Sequence, residues 1–287
     1  MKILVTGSCG FTGQNLMALL RTYKEDELFS CDLSGIVSDS HSIVNFNDSH
    51  QVQNIVESIK PDLVYHLIGS FSNSYEIDYA NNVLSTRNLI EALITSKVKA
   101  RVFVLGTAAE YGAVEKTQNP VSENAKLNPG TIYGLTKCMQ TLMMSYYVRC
   151  YKLDIVMARP FNLSGDGVSK LLLLGNLQEQ ITAYITGKIS RITLGDLSQR
   201  RDFLSIENAC RDYIFIAKYG ETGEIYNVGS GRSTLVEEQV KLELKKYGIP
   251  WDCIEIIGHH GINNVDEIYA DISKLATLKK KVRKDEY

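Results

Sequence analysis

The sequence predicts an α/β fold in which a doubly wound parallel sheet carries a smaller C-terminal lobe. Short apolar runs alternate with amphipathic stretches over residues 1–160, and a glycine-rich turn joins the first apolar run to the first amphipathic stretch. After Arg159-Pro160 this alternation becomes less regular. Regular alternation of strand and helix is typical of a parallel sheet with helices on both faces, and such sheets bind ligands beyond the carboxyl ends of their strands.

The first half of the chain contains four predicted strands separated by predicted helices. The strands are KILVTG, LFSCDL, DLVYHLIG and RVFVLGT. The helices are predicted from about Gly10 to Tyr23, near residues 49–59 and near residues 78–97.

The second half begins with a helix near Thr131, in TIYGLTKCMQTLMMSYYVRCY, which the strand LDIVMARP follows. A helix near 171–187 and the strand GEIYNVGSG come later. We assign residues 1–162 to the sheet domain, to which 204–228 return. We assign residues 163–203 and 229–287 to the smaller lobe, which we expect to cover the ligand edge of the sheet.

The composition excludes several classes of partner. Hydrophobic residues make up 44% of the chain, charged residues 22%, and the net charge is -2, so no bias toward nucleic acid or a membrane surface is present. No apolar run approaches the roughly 18 residues that span a bilayer. The six cysteines are scattered without metal-ligand spacing, which predicts a reduced cytoplasmic location and no metal site. The expected partner is a small molecule or a second copy of the chain.

The turn TGSCGFTG places Gly7, Gly10 and Gly13 between the first strand and the first helix. Glycines there allow a tight turn, a close approach of the backbone to a pyrophosphate, and close packing of the helix on the strand. The helix N terminus then directs free N–H groups toward the phosphates. The turn therefore predicts a dinucleotide site, and its alternative interpretation is three glycines with a purely structural role.

Asp32 ends the second predicted strand. A carboxylate at that position can accept both ribose hydroxyls of an adenosine and would repel a 2'-phosphate. No arginine or lysine follows within several residues. We therefore expect NAD(H) to be preferred, with NADP(H) possible, and the alternative is a structural carboxylate that caps a turn.

Two tyrosine-lysine pairs with the same spacing occur, Tyr133 with Lys137 and Tyr184 with Lys188. Positions four apart lie on one helix face, so the ammonium can stabilise a phenolate and lower the pKa of the tyrosine. The strand RVFVLGT delivers Thr107 to the edge of the sheet near the first pair. We predict that Thr107 and the first pair transfer a proton beside a bound dinucleotide. The second pair lacks such a partner and is expected to pack and to face solvent.

Several motifs occur together and in order: TGSCGFTG, PDLVYHLIG, NNVLSTRNLIEAL, GTAAEYG, YGLTK, ARPFN, RRDFLSIENA and YNVGSG. In these the chain resembles the extended short-chain dehydrogenase/reductase family, in the branch that acts on nucleotide sugars. The resemblance covers residues 1 to about 275. It implies a Rossmann-type domain that binds NAD(P), a Ser/Thr-Tyr-Lys catalytic set, and a C-terminal lobe that holds a nucleotide-diphosphate sugar.

The resemblance also implies residue roles. The cofactor site would include Gly7, Gly10, Phe11, Thr12, Gly13, Asp32, Leu67, Ile68, Gly69, Asn82, Tyr133, Lys137, Arg159 and Pro160. The substrate site would include Thr107, Ala108, Ala109, Asn162 and Arg201, the last two at the diphosphate. The alternatives are helix packing for Asn82, a loop-fixing amide for Asn162 and a surface ion pair for Arg201.

The motif GTAAEYG bears on the reaction. Dehydratases of the family carry an acidic pair after the catalytic threonine, where this chain has Ala108 and Ala109, so elimination of water is disfavoured unless Glu110 substitutes. Together with LGDLSQRRDF, the motif is most similar to reductases of GDP-4-keto-6-deoxy-D-mannose. We therefore expect hydride transfer from NADH to C4 of a 4-keto-6-deoxy sugar. The alternatives are a nucleotide-sugar 4-epimerase or 4,6-dehydratase with tightly bound NAD, and a non-catalytic dinucleotide-sensing protein.

Three further expectations concern the C-terminal part and the assembly. Relatives carry an arginine-proline ahead of the segment ADISKL, which this chain lacks, so one substrate-contacting arginine is expected to be missing. His259 and His260 either face the substrate pocket or form an exposed loop pair. The two long helices, at about 78–97 and 131–150, are expected to form a homodimer interface.

Overall fold

A seven-stranded parallel sheet forms the larger part of the molecule. The computed structural model describes residues 1–23, 25–258 and 265–285. Its strands are β1 Lys2–Thr6, β2 Glu27–Asp32, β3 His41–Ile43, β4 Leu63–His66, β5 Arg101–Leu105, β6 Ile155–Pro160, β7 Asn162–Ser164, β8 Ile192–Leu194, β9 Arg200–Arg201, β10 Phe203–Ser205, β11 Ile225–Val228, β12 Thr234–Leu235, β13 Ile254–Ile256 and β14 Glu267–Ile268. The main sheet has the order β11-β6-β5-β4-β1-β2-β3.

The helices fill the connections between these strands. They are α1 Phe11–Leu20, α2 Ser49–Ile59, α3 Tyr75–Tyr79, α4 Ser85–Thr95, α5 Ile132–Tyr151, α6 Leu173–Ile185, α7 Ile206–Tyr219, α8 Val236–Lys246 and α9 Ser273–Asp285. A π-helical turn, Ala80–Leu84, joins α3 to α4, and a 3₁₀ turn, Ala108–Glu110, follows β5. In the part of the chain that the structure describes, no helix is long and apolar enough to cross a membrane.

The sheet is buried on both faces, which confirms the predicted doubly wound α/β class. Successive residues of a strand point to opposite faces, so Ile3 and Val5 pack in one apolar layer and Leu4 in the other. The first layer is completed by α1, α7 and α9, and the second by α2, α4 and α5. From β1 the chain adds β2 and β3 on one side, and β4, β5 and β6 on the other side. Sheets of this class bind their ligand at the point where the strand order changes direction in this way.

A separate apolar core defines the smaller lobe. Leu177 of α6, Ile192 of β8 and Val240 of α8 meet there and are fully excluded from solvent. Most residues of this core fall within the ranges 163–203 and 229–258. The C-terminal boundary is corrected, because Leu275 and Leu278 of α9 pack in the core of the sheet domain.

Two predicted elements differ from those in the structure. The single helix expected near 78–97 is a continuous run of α3, the π-helical turn and α4. The first helix ends at Leu20 rather than Tyr23, and the short strand β3 was not predicted. A three-residue strand buries too few side chains to leave a clear pattern in the sequence.

Candidate functional site

A cavity of about 340 Å³ opens at the carboxyl ends of β1, β2 and β4. Six residues predicted for the cofactor site line it: Gly7, Gly10, Asp32, Leu67, Ile68 and Gly69. Its wall also contains residues that the prediction missed: Cys9, Leu33, Ser34, Val44, Asn45, Phe46, Asn47, Asn81 and Ser85. Most of these residues follow β2 and β3. The signal that could have found some of them is the pair of asparagines, Asn45 and Asn47, in the segment NFND after the short strand β3.

The backbone of the glycine turn packs closely against the segment after β4 and against the start of α1, which leaves no room for side chains at Gly7 and Gly13. Gly7 has a φ of +70°, and a side chain there would place its Cβ 2.9 Å from the backbone nitrogen of Ile68. A Cβ on Gly13 would lie 2.2 Å from the carbonyl oxygen of Gly7. Helix α1 therefore packs so close to the turn that only glycine fits at this position. Phe11 and Thr12 lie in the first turn of α1 and are not among the residues that line the cavity.

Asp32 combines the two predicted alternatives. Its Oδ2 accepts the N–H of Cys9 at 2.8 Å and its Oδ1 accepts the N–H of Leu33 at 2.7 Å, so the carboxylate does fix the turn. It also lines the cavity, and a carboxylate has about four acceptor sites, which leaves capacity for ligand hydroxyls. Leu33 and Ser34 follow it without a cation.

Asn47 provides an independent indication that a ligand belongs here. Its Nδ2 donates to Asn81 Oδ1 at 3.2 Å, whereas its Oδ1 is buried and has no hydrogen-bond partner. Buried amide oxygens almost always accept a hydrogen bond. The unpaired Oδ1 of Asn47 in the cavity wall therefore suits an N–H or O–H donor of a ligand. The glycine turn, the carboxylate and this acceptor together fit a dinucleotide.

Thr107, Tyr133 and Lys137 lie together beside this cavity. A Cβ on Gly69, which lines the cavity, would be 3.1 Å from Lys137 Nζ. Lys137 Nζ donates to the carbonyl oxygen of Leu105 at 3.0 Å, at the end of the strand that leads to Thr107. The Thr107 side chain lies close enough to the Tyr133 phenol to lower its pKa. The structure thus brings together the three predicted catalytic residues.

Local sequence explains how α5 presents Tyr133. The hydroxyl of Thr131 caps the helix by accepting the N–H of Gly134 at 3.0 Å. The ring of Phe71 meets Tyr133 edge to face, with ring centroids 5.1 Å apart. Ala108 and Ala109 continue from Thr107 into the 3₁₀ turn that lies against the start of α5.

The protonation of Tyr133 differs from the expectation. Burial raises the pKa of Tyr133 to about 12, and the nearby Thr107 side chain opposes this increase only in part. The net shift is upward, contrary to the expectation that Lys137 lowers the pKa of Tyr133, because desolvation has the largest effect. Tyr133 is consequently a protonated phenol at neutral pH and is able to donate a proton.

Lys137 is almost completely buried, and burial lowers its pKa to about 8, with Glu110 acting in the opposite direction. The side chain is therefore mostly an ammonium at neutral pH and loses its proton in mildly alkaline solution. Its Nζ donates to Gln140 Oε1 at 3.1 Å in addition to Leu105.

Glu110 and Arg159 form a buried ion pair beneath the 3₁₀ turn. Glu110 Oε2 lies 2.9 Å from the Arg159 guanidinium, and both side chains are nearly inaccessible to solvent. Glu110 Oε1 accepts the N–H of Thr107 at 3.0 Å, so the pair holds the threonine in place. Glu110, the carboxylate that could have substituted for the missing acidic pair, is thus engaged in an ion pair, and the Arg159 side chain, predicted for the cofactor site, bonds Glu110 and the Tyr111 hydroxyl. Pro160 is buried at the end of β6.

Asn82 also serves the framework of the site. It lies in the π-helical turn, where its Oδ1 accepts the N–H of Ser70 at 2.9 Å and its Nδ2 donates to Thr136 Oγ1 at 2.9 Å. The side chain therefore ties the loop after β4 to helix α5, as its helix-packing alternative predicted.

The two predicted diphosphate ligands lie near the boundary of the lobes. Asn162 Nδ2 donates to the carbonyl oxygen of Asp202 at 3.1 Å, which is the loop-fixing role given as its alternative. The Arg201 guanidinium donates to the carbonyl oxygen of Arg200 at 2.9 Å and to the amide oxygen of Gln199. Burial lowers the pKa of Arg201.

The second tyrosine-lysine pair is separate from this site. Tyr184 packs against the core of the smaller lobe, and Lys188 is exposed beyond the end of α6. The placement matches the packing and surface roles expected for them. His259 and His260, and with them the expectation about their loop, lie outside the described residues.

Comparison with known proteins gives consistent matches. A family model described as the NAD dependent epimerase/dehydratase family matches residues 3–229. The chain is 31% identical over 287 residues to GDP-6-deoxy-D-talose 4-dehydrogenase of Aggregatibacter actinomycetemcomitans, covering 97% of this chain and 91% of that protein. It is 27% identical over 188 residues to GDP-6-deoxy-D-mannose reductase of Pseudomonas aeruginosa, covering 63% and 62%.

A solved structure, that of RMD from Pseudomonas aeruginosa complexed with NADPH, has the same fold. Its TM-score is 0.84 at 22% identity, and the match covers 97% of this chain and 92% of that chain.

Proposed function

The chain belongs to the NAD dependent epimerase/dehydratase family, and on that premise we propose that it reduces the C4 ketone of a nucleotide-diphosphate 4-keto-6-deoxy sugar, with NADH as the preferred cofactor. The observation that carries this proposal is the placement of Tyr133. Its phenol lies beside Thr107 and one helical turn from the buried Lys137, whose Nζ donates to the carbonyl oxygen of Leu105 at the end of the strand that leads to Thr107. A reductase needs a proton donor at the oxygen that receives the hydride.

Each catalytic side chain then has one task. Bound NADH supplies the hydride. Thr107 orients the ketone by donating to its oxygen, and Tyr133 delivers a proton to that oxygen as negative charge develops on it. Lys137 supplies a positive charge near the oxygen on which negative charge develops.

Two features support reduction at C4 over the other reactions of the family. Alanine occupies both positions after Thr107, and Glu110, the carboxylate of the same turn, is paired with Arg159 away from solvent. No titratable group of this turn is therefore placed to move protons during a dehydration. The relatives from Aggregatibacter and Pseudomonas are, by name, a 4-dehydrogenase and a reductase of GDP-linked 6-deoxy sugars. We propose that Asn162 and Arg201 face the substrate diphosphate.

Mixing the protein with NADH and a panel of GDP-, dTDP-, UDP- and CDP-linked 4-keto-6-deoxy sugars tests the proposal. We expect NADH absorbance to fall with at least one member of the panel. If none is consumed and an ordinary nucleotide hexose is instead epimerised without added cofactor, the protein is an epimerase and the proposal fails.

Asp32 sets the expected cofactor preference. Replacing it with serine removes the charge that would repel a 2'-phosphate, so the ratio of Kd for NADPH to Kd for NADH should fall by about 10- to 100-fold. Fluorescence titration with both cofactors measures this ratio. Asp39→Ser, an exposed aspartate in the loop that follows, is the control and should leave it unchanged. An unchanged ratio in the Asp32 variant would remove Asp32 from the ribose site.

We also propose that two copies associate through α3 and α5. These helices pack against each other and expose a row of large apolar side chains: Tyr75, Tyr79, Leu135, Leu142 and Tyr146. Leu142 is 66% exposed in the single chain. Large apolar side chains exposed on two helices that pack together are typical of an interface, and a two-fold dimer would contain each residue twice.

Leu142→Glu should therefore weaken the dimer by about 100-fold or more, because two buried leucines would be replaced by two desolvated carboxylates. Light scattering over a concentration series measures the change. Leu242→Glu, at another exposed leucine, on α8 of the smaller lobe, is the control. A wild-type protein that is monomeric at every concentration would contradict the dimer.

A further inference from the structure

Buried polar side chains connect Lys137 to the interior of the sheet domain. Lys137 Nζ donates to Gln140 Oε1 at 3.1 Å, and Gln140 Nε2 donates to the hydroxyl of Thr86 on α4 at 2.7 Å. Gln140 and Thr86 are completely inaccessible to solvent. Gln140 is neutral and buried, and it bonds the Lys137 ammonium directly. It is therefore placed to influence the position and the pKa of that ammonium.

Chemistry fixes the direction of these hydrogen bonds. An ammonium only donates, so the Gln140 atom that faces Lys137 is the amide oxygen, and the amide N–H is left to face Thr86. Thr86 Oγ1 donates its own hydrogen to the carbonyl oxygen of Asn82 at 2.9 Å, so it can only accept from Gln140. The amide therefore cannot turn over without losing both of its bonds.

His66 completes this arrangement. Its Nε2 lies 3.0 Å from Thr86 Oγ1 and its Nδ1 lies 2.9 Å from Thr6 Oγ1. Because the Thr86 hydrogen is already used, His66 Nε2 carries the proton and donates it to Thr86, while Nδ1 accepts from Thr6. Burial, with a smaller contribution from Lys137, lowers the pKa of His66 to about 3. The imidazole is therefore neutral, and its N–H gives Thr86 Oγ1 a third hydrogen bond without adding a charge.

We propose that Gln140 is a positioning residue, which holds the Lys137 ammonium at its catalytic place, and that Thr86 fixes the orientation of the Gln140 amide. The inference rests on the proposed function only in giving Lys137 a part in proton transfer. Within the described residues, Leu105 and Gln140 engage two of the three N–H groups of Lys137. The third is left for a ligand or for the proton-donating tyrosine.

The titratable groups that face Lys137 come from several elements. Glu110 on the 3₁₀ turn raises the pKa of Lys137, although its carboxylate is shared with Arg159. His66 on β4 and Tyr133 on α5 are neutral at neutral pH, and Asp78 on α3 acts on Tyr133. None of these groups bonds Lys137 Nζ directly, so none can replace the oxygen of Gln140 if it is removed.

The test compares two substitutions of opposite effect. Gln140→Leu removes the acceptor, so the pKa of Lys137 should fall from about 8 by about one to two units. Gln140→Glu adds a carboxylate, so that pKa should rise above its wild-type value. Carbon-13 NMR of protein labelled at lysine Cε measures both, with the Lys137 signal assigned by its loss in Lys137→Arg. Gln180→Leu, which removes a glutamine bonded to the backbone of Thr193, is the control and should leave the pKa of Lys137 unchanged.

Turnover supplies the second readout. The alkaline limb of the pH profile should move to lower pH in Gln140→Leu and to higher pH in Gln140→Glu, because catalysis needs the protonated lysine. If Gln140→Leu fails to fold, Thr86→Val should still give a smaller downward shift of the same pKa.

The outcomes separate this inference from the proposed function. Opposite shifts of the Lys137 signal without turnover of any 4-keto sugar would support the positioning of Lys137 and reject the reductase. Turnover with an unmoved Lys137 signal, or equal loss of activity in both Gln140 variants with no change in pH dependence, would overturn the positioning inference.

Discussion

Replacing Tyr133 with phenylalanine is expected to lower kcat by about 100- to 10,000-fold, the usual contribution of a general acid. The substitution removes only the hydroxyl that would protonate the substrate oxygen, and the edge-to-face packing with Phe71 is retained. Binding of NADH should change by no more than about twofold, because the affected group acts mainly in the transition state. Initial rates and fluorescence titration of NADH measure the two quantities.

Tyr184→Phe is the matched control, because Tyr184 also precedes a lysine by four positions. It lies in the smaller lobe and should leave kcat within about twofold of the wild-type value. If the Tyr184 variant lost activity and the Tyr133 variant did not, the choice between the two pairs would be reversed.

Arg159→Met is expected to lower the free energy of unfolding by about 3–5 kcal/mol. The substitution leaves the Glu110 carboxylate buried without its partner, and an uncompensated buried charge is costly. It should also reduce kcat, since Glu110 Oε1 holds the backbone of Thr107. Urea unfolding followed by circular dichroism measures the stability change.

Two controls frame this prediction. Arg211→Met breaks an exposed pair with Glu207 on α7 and should cost less than about 1 kcal/mol. The double variant Glu110→Met with Arg159→Met removes both charges and should recover part of the lost stability. A loss in Arg159→Met no larger than that in Arg211→Met would show that the buried pair does not stabilise the fold.

The parts of the site that the sequence predicts are those set by local pattern. Gly7 and Gly13 are dictated by the turn between β1 and α1, and the chain order of strands and helices places Asp32 and Thr107 at the same edge of the sheet. The spacing of Tyr133 and Lys137 follows from the helical repeat. Parallel sheets of this class leave few alternatives for where such strand ends meet.

The parts that the sequence does not predict depend on contacts between distant segments. The arginine that precedes Pro160 has no local signal for its ion pair with Glu110, because the two meet only when β6 lies beside β5. The packing of α9 on the sheet domain depends on which apolar surface is left free after the smaller lobe has formed. The raised pKa of Tyr133 is likewise a result of burial, which helix spacing alone does not reveal.

The route of the hydride tests the account most directly. NADH carrying deuterium at the transferred position is incubated with the 4-keto sugar that consumes it, and the product is analysed by mass spectrometry and NMR. A reductase of the proposed kind places one deuterium at C4 of the product and consumes one NADH for each sugar. A product that forms without deuterium at C4, or without net consumption of NADH, would contradict the proposed reduction.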